Sequence, residues 1–404
     1  MAEYYISSAG RDDSDGLSPD TPWRTIEKLN QSVCNGDTVR FRCGDTFYGN
    51  IRPARGTTLT CYGSGKRPVI SQYKFPLAHA WKSIGENFWR IDLADTDNFT
   101  GNVCDMDANA GFLLIDGVVH AVKRFAESDL KDQWEFCSDD TSVTVFSHEH
   151  PADLAEELRI ACNIRCVNFA DGLTVENLVF NGTGGHGISG TVQNALIRNC
   201  DFINIGGSRL PGYPNPTTRY GNGVECWSDS SDVTVEYCTF TGIYDVAITM
   251  QGNEVKSGWK NMTFRRNLIY NCQQAFEIWS SYASDYPGTG FVNCRFEDNV
   301  CLDSGYCWGY DVRPNKGVSC HLLLYHLECP LCDITVTGNI FSGARLAAIW
   351  KAGGCTQIPA GYRIAGNTFV LGKDEDLCNH GTESSDEYED FCGRLRTENR
   401  IRRR

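Results

Sequence analysis

Short runs of alternating apolar and polar residues recur through the second half of the chain at intervals of roughly 20 to 40 residues, which marks a structural repeat. Segments 173–180, 195–202 and 233–240 share one pattern, an apolar alternation followed by a polar bend, Leu or Cys, and Phe. Segments 262–270, 291–296, 334–341 and 362–369 follow it. After a bend containing Gly, Asn or Ser, each is succeeded by a second short apolar run. Successive side chains of a strand point to opposite faces. One such unit cannot cover its own apolar face, whereas stacked copies can. The pattern predicts an all-β chain, a right-handed parallel β-helix, with Cys200, Cys238 and the recurrent Asn before the turn in inward ladders.

The first part is less regular. Residues 4–26 order a strand, a polar turn and a helix start, and the best short helix is expected over 23–29. Residues 75–160, with Trp81, Trp89 and Trp134, read as a β-rich excursion packed on the early coils. The expected division is 1–164 for the opening coils and excursion, 165–371 for regular coils, and 372–404 for a charged tail. The tail carries acidic and then arginine-rich runs, so a solvated segment is the first expectation and a cap over the last coil the alternative.

Composition narrows the field. The 404 residues carry a net charge of −14, and 41% are hydrophobic, enough for a large core. The acidic balance argues against a nucleic-acid partner. No apolar run is long enough to span a membrane as a helix. The start shows no basic and apolar leader pattern, which predicts a cytoplasmic protein, or a secreted one if a leader has been removed. Of the 20 cysteines, many fall inside apolar strand runs, where a free thiol behaves as a small buried hydrophobe; disulfides are the alternative. Asp12-Asp13-Ser14-Asp15-Gly16 resembles a calcium loop without its distal Glu, and Cys329 and Cys332 have zinc-like spacing. Asx turns and chance explain them better, so neither a metal nor a cofactor is expected.

The opening 4–26, followed by Gly36-Asp37-Thr38-Val39 and the repeat, resembles the pectate-lyase-like parallel β-helix superfamily. That resemblance implies polysaccharide lyases, glycoside hydrolases or sugar epimerases. It speaks to the fold and only suggests a reaction.

Candidate chemistry comes from aligning the second strands of successive coils. Registering 222–227 with 244–249, 274–279 and 345–350 points Val224, Val246 and Phe276 inward, together with Cys226, Ile248, Ile278 and Ile349. It leaves Glu225, Asp245 and Glu277 outside with Trp227, Trp279 and Trp350. Carboxylates do acid/base work and indoles stack on sugar rings. The structural alternative pairs the carboxylates with Arg219 or Arg313 and tucks the indoles beneath loops. In this register Asp245 lies roughly 8 Å from either glutamate and the glutamates about 9.6 Å apart. Those spacings lean towards inversion, which uses carboxyls about 6.5–9.5 Å apart. Asp245 and Glu277 are the expected acid/base pair, with Glu225 able to replace either.

Arg313, His321, Arg219, Tyr310 and Lys351 are further candidates for substrate binding, although His321 and His186 are more often structural. The loop 206–221, with Arg209 and Tyr213, can wall the site or be plain rigid surface. A glycoside hydrolase acting on an oligo- or polysaccharide is the leading expectation. A uronate lyase or epimerase would need a base such as Arg313, His321, Lys351 or Tyr310. A non-catalytic glycan-binding solenoid is the third reading. Oligomeric state is not legible.

Overall fold

The computed structural model describes residues 1–92, 96–97, 109–139, 141–210, 217–313, 318–352, 361–379 and 386–404. Tyr213 and its neighbours 211–216 lie outside the described residues. Three parallel sheets wind through the chain, of 11, 10 and 8 strands, and every strand is bonded to its counterpart in the next coil. The first sheet runs from Glu3–Ile6 to Tyr362–Ile364, the second from Thr46–Tyr48 to Arg400–Arg403, and the third from Val167–Asn168 to Asp376–Asn379. This is the parallel β-helix that the repeat predicts.

One turn explains why the repeat reads as it does. Between the first and second sheets the chain reverses through a residue with positive φ: Asn177, Asn199, Tyr237, Arg266, Asp298, Gly338 and Gly366 in successive coils. Left-handed backbone favours Asn, Asp and Gly, which accounts for most of these positions. The next residue turns inward. Asn267, Asn299, Asn339, Asn367 and Asn399 form a ladder in which each amide donates to the following Oδ1 at 2.9–3.0 Å. Cys200 and Cys238 hold the same position in earlier coils. Their thiols donate to the carbonyl two residues back, each at 3.3 Å, and both cysteines are free. The interior between the sheets is filled by side-chain stacks, among them Phe202 on Phe240 with ring centres 4.6 Å apart.

The N-terminal helix forms over Ile26–Ser32, three residues later than 23–29, because the Thr25 hydroxyl caps the Lys28 amide. Trp23 instead bridges to Ile6. Asp12 accepts from the Arg24 and Thr25 amides, and Asp15 from the Leu17 amide. The acidic loop is thus bonded to its own main chain.

The first division is refined, and the C-terminal one differs from the expectation. Thr58 pairs directly with Thr174, and Val69 with Val179. Residues 1–71 are therefore coils of the solenoid itself, and 72–164 is an insertion between adjacent coils. Its described part forms two antiparallel sheets around a core of its own that includes Trp81, Ile91, Phe136 and Val143. At the other end, 372–404 is no solvated tail. Asp376–Asn379 joins the third sheet, and Arg400–Arg403 pairs with Thr368–Leu371. The helix Asp386–Glu398 between them buries Phe391 and Leu395 against the last coil. Burial of those two apolar side chains outweighs the charge around them.

Candidate active site

The third sheet carries the carboxylates, but in a register two residues away from the expected one. Glu225 stands beside Thr249, Thr249 beside Glu277, Glu277 beside Leu323, and Leu323 beside Trp350. A shift of two preserves which face each side chain takes. Val224, Ile248, Phe276 and Ile349 remain inward and the acids outward, while their neighbours change. Trp350 falls in the Glu277 column, not alongside Trp279, and packs with Leu323 and Val318. Gln251 takes the place between Trp227 and Trp279, whose half-buried indoles lie 6.2 Å apart. Asp245 sits four positions before Thr249, at the turn leading into Val246–Asn253. The 8 Å spacing drawn from the sequence therefore lapses.

Although outward, both glutamates are buried, Glu225 to 6% exposure and Glu277 to 8%. Glu225 Oε2 accepts from Asn222 Nδ2 at 2.9 Å and Gln251 Nε2 at 2.6 Å, with His186 Nε2 at 3.4 Å. His186 Nδ1 accepts from the Asn222 amide, so the ring proton lies on Nε2, towards the carboxylate. Burial holds Glu225 up at about 7, against the pull of Asn222, Arg165 and Gln251. Burial also pushes His186 down to about 3, leaving it a neutral donor. Glu277 has a single hydrogen bond among the described residues, from the Thr249 hydroxyl at 3.2 Å. Burial, and next the negative charge of Asp245, push it up to about 8. Asp245 itself is held by Arg313, Nη1 to Oδ1 at 2.7 Å.

The remaining candidates separate. Arg313 is in the cluster through Asp245. Arg219 is buried against main-chain carbonyls of Gly207, Gly111 and Ala121, so it is not a sugar ligand. His321 is wholly buried, its Nδ1 2.8 Å from the Ser304 hydroxyl and its ring beside core Phe341. Lys351 pairs in register with Leu324, in the inward column of Ile278 and Met250, and not with the acids. Tyr310 lies under the Arg345 guanidinium at 3.5 Å. Sequence reasoning missed Asn222, Thr249 and Gln251, which the correct register would have shown facing or flanking the glutamates. It also missed Arg165, whose charge reaches Glu225 and whose Nη1 donates to the Ser189 carbonyl at 3.3 Å.

The arrangement can move a proton. Glu277 is a carboxyl kept protonated near neutrality, set beside an ion-paired carboxylate and an indole pair.

Several solved structures align with the chain over most of its length. "The complex structure of XylC with xylose" covers 94% of this chain and 70% of its own at 12% identity, with a TM-score of 0.48. "Glycoside hydrolase" covers 94% and 95% at 11% identity, with a TM-score of 0.46. The alginate lyase from Paenibacillus sp. str. FPU-7 covers 89% and 97% at 10% identity, with a TM-score of 0.40. No curated protein matches the chain. The family described as right handed beta helix region matches residues 163–369, just over half of the sequence. The chain belongs to that right-handed β-helix family.

Proposed function

We propose that the protein is a carbohydrate-active enzyme, and specifically a glycoside hydrolase that cleaves an oligo- or polysaccharide with Glu277 as general acid and Asp245 as its carboxylate partner. The observation that carries this reading is the raised, buried Glu277 carboxyl next to the Arg313-held Asp245. A general acid must keep its proton near working pH and release it to the leaving oxygen. Burial gives Glu277 that proton, and the neighbouring negative charge reinforces it. Arg313 orients Asp245 for the opposite task, to activate water or to engage the anomeric carbon. Glu225, with its Oε2 taken by amide donors, orients a sugar hydroxyl through Oε1. Trp227 and Trp279 offer apolar faces to sugar rings across Gln251.

The lyase reading loses support from the same geometry. The bases it would need, Arg313, His321, Lys351 and Tyr310, are respectively ion-paired, core-buried, inward and covered by Arg345.

The test is a panel of glycans offered to the protein and to Glu277→Gln and Asp245→Asn, reading reducing ends and near-ultraviolet absorbance together. New reducing ends without absorbance, lost in both variants, are expected. Absorbance from an unsaturated product would assign a lyase instead. The anomer first released, read by NMR, separates attack by water (inversion) from a covalent intermediate (retention).

A further inference from the structure

Arg219 is a buried cation with no carboxylate beside it among the described residues. Its Nε donates to Gly207 O at 2.5 Å, Nη2 to Gly111 O at 2.7 Å and Nη1 to Ala121 O at 3.1 Å. Gly111 and Ala121 belong to the insertion, and Gly207 to the loop of the solenoid facing it. The guanidinium carbon also lies 5.0 Å from the centre of the Tyr244 ring, and that of Arg313 lies 5.3 Å from the same ring. Burial of a guanidinium is costly unless its donors are met. Here four carbonyls, the fourth being Val312 O at 3.5 Å from Nη1, and an aromatic ring meet them.

Glycines allow the close approach. A Cβ on Gly111 would stand 2.3 Å from Gly206 O, and one on Gly206 2.8 Å from the Tyr244 Cβ. Trp308 completes the contact, 5.0 Å from Phe112 of the insertion and 5.6 Å from Tyr244. Arg313 then donates both to Tyr244 O at 3.2 Å and to Asp245 Oδ1 at 2.7 Å.

We propose that Arg219 is a positioning residue: it clamps the insertion to the solenoid and, through the shared Tyr244 ring, fixes Arg313 and hence Asp245. The insertion between coils thereby sets the geometry of the carboxylate cluster. The proposal rests on the acid/base reading for its kinetic readout alone.

Arg219→Lys keeps the charge and removes the fork. The decisive readout is the titration midpoint of Glu277, followed by NMR in protein labelled at glutamate and assigned by the signal missing from Glu277→Gln. Asp245, Arg313 and Glu225 are the charged groups acting on that carboxyl, and Asp245 is the strongest of them. If Arg219 fixes Asp245, the midpoint falls in Arg219→Lys by about half a unit or more. The turnover number falls about tenfold, with KM within a factor of about two. An unmoved midpoint in a folded Arg219→Lys protein overturns the proposal, whatever happens to turnover, and leaves Arg219 a structural clamp. Should that variant not fold, Phe112→Leu loosens the same contact from the insertion and is read identically. If no glycan is turned over, the midpoint still decides the positioning role, and the failure belongs to the hydrolase reading alone.

Discussion

Two columns of polar side chains climb this solenoid, and they are built on opposite rules. The asparagine ladder repeats one residue from Asn267 to Asn399; each amide is bonded to a main-chain carbonyl and, in all but the last, to the next rung. The third-sheet column changes residue at every step, from Ser189 through Glu225, Thr249 and Glu277 to Leu323. It is also incompletely satisfied. The buried Ser189 hydroxyl has no partner among the described residues, and Glu277 has one hydrogen bond. Repetition with every bond made is what stability selects. Irregularity with buried, half-satisfied acids costs stability, as the proposed acid/base role would require.

The sharpest way to break the comparison is to exchange the acid for its amide. Glu277→Gln should cut turnover about 10²–10⁴-fold on whatever glycan the panel identifies, with the fold unchanged by circular dichroism. Retained activity would reduce the irregular column to a packing accident. Next in size, Asn299→Ala removes bonds to Asn267, Asn339 and Phe264 O and should cost about 2–3 kcal/mol in denaturant unfolding. Once folded, that variant should turn over normally. A loss of activity with no loss of stability would reverse the roles of the two columns.

A third expectation has a definite sign. Because the folded-state value of Glu277 is raised to about 8, the unfolded chain releases this proton first, and stability falls as pH rises from the ordinary carboxylate range. Glu277→Gln escapes that loss. It should therefore unfold at a higher temperature than the parent at pH 8, with the gap nearly closed at pH 4 and no longer growing above about pH 8. An equal gap at all pH values would show that Glu277 is not the group concerned. The smallest effect is expected on the opposite face. Arg198 is an exposed partner of Glu176, and Arg198→Ala should leave both the denaturant midpoint and turnover where they are in the parent.

The fold was legible because coil-to-coil repetition is a local signal. Phe202 under Phe240 and Cys200 under Cys238 could be aligned from the sequence without knowing anything else. The site was half legible. Alternation within a strand determines the outward face of Glu225 and Glu277, and a two-residue slip does not alter it. The slip does alter neighbours, which is why Thr249 and Gln251 went unnoticed and Trp350 was misplaced. The sequence strings around Asp245 offer two equally apolar registers, and only the turn geometry chooses between them. Lys351 and His321 were candidates for a different reason, and His321 proves to be the structural histidine that is the commoner case. A polar residue in a strand run gives no sign of being inward when its coil provides a polar or terminal niche, as Ser304 does for His321. The C-terminal segment misled through composition, because its charges conceal the few apolar residues that dock it.

The junction at Thr58 and Thr174 has a consequence for how the chain assembles. Ordinary neighbouring rungs, such as Leu196 and Thr234, are separated by fewer than forty residues, whereas these two are more than a hundred apart. Loop-closure entropy grows only with the logarithm of length, so the extra cost of joining them is about 1 kcal/mol. The insertion has a core of its own. Coils from residue 165 onward pair over short sequence separations, whereas the pairing of coils 1–71 with them is long-range. A solenoid is thus a tolerant host: a segment with a core of its own can be spliced between two rungs at little thermodynamic cost, with the penalty falling on the order and speed of folding.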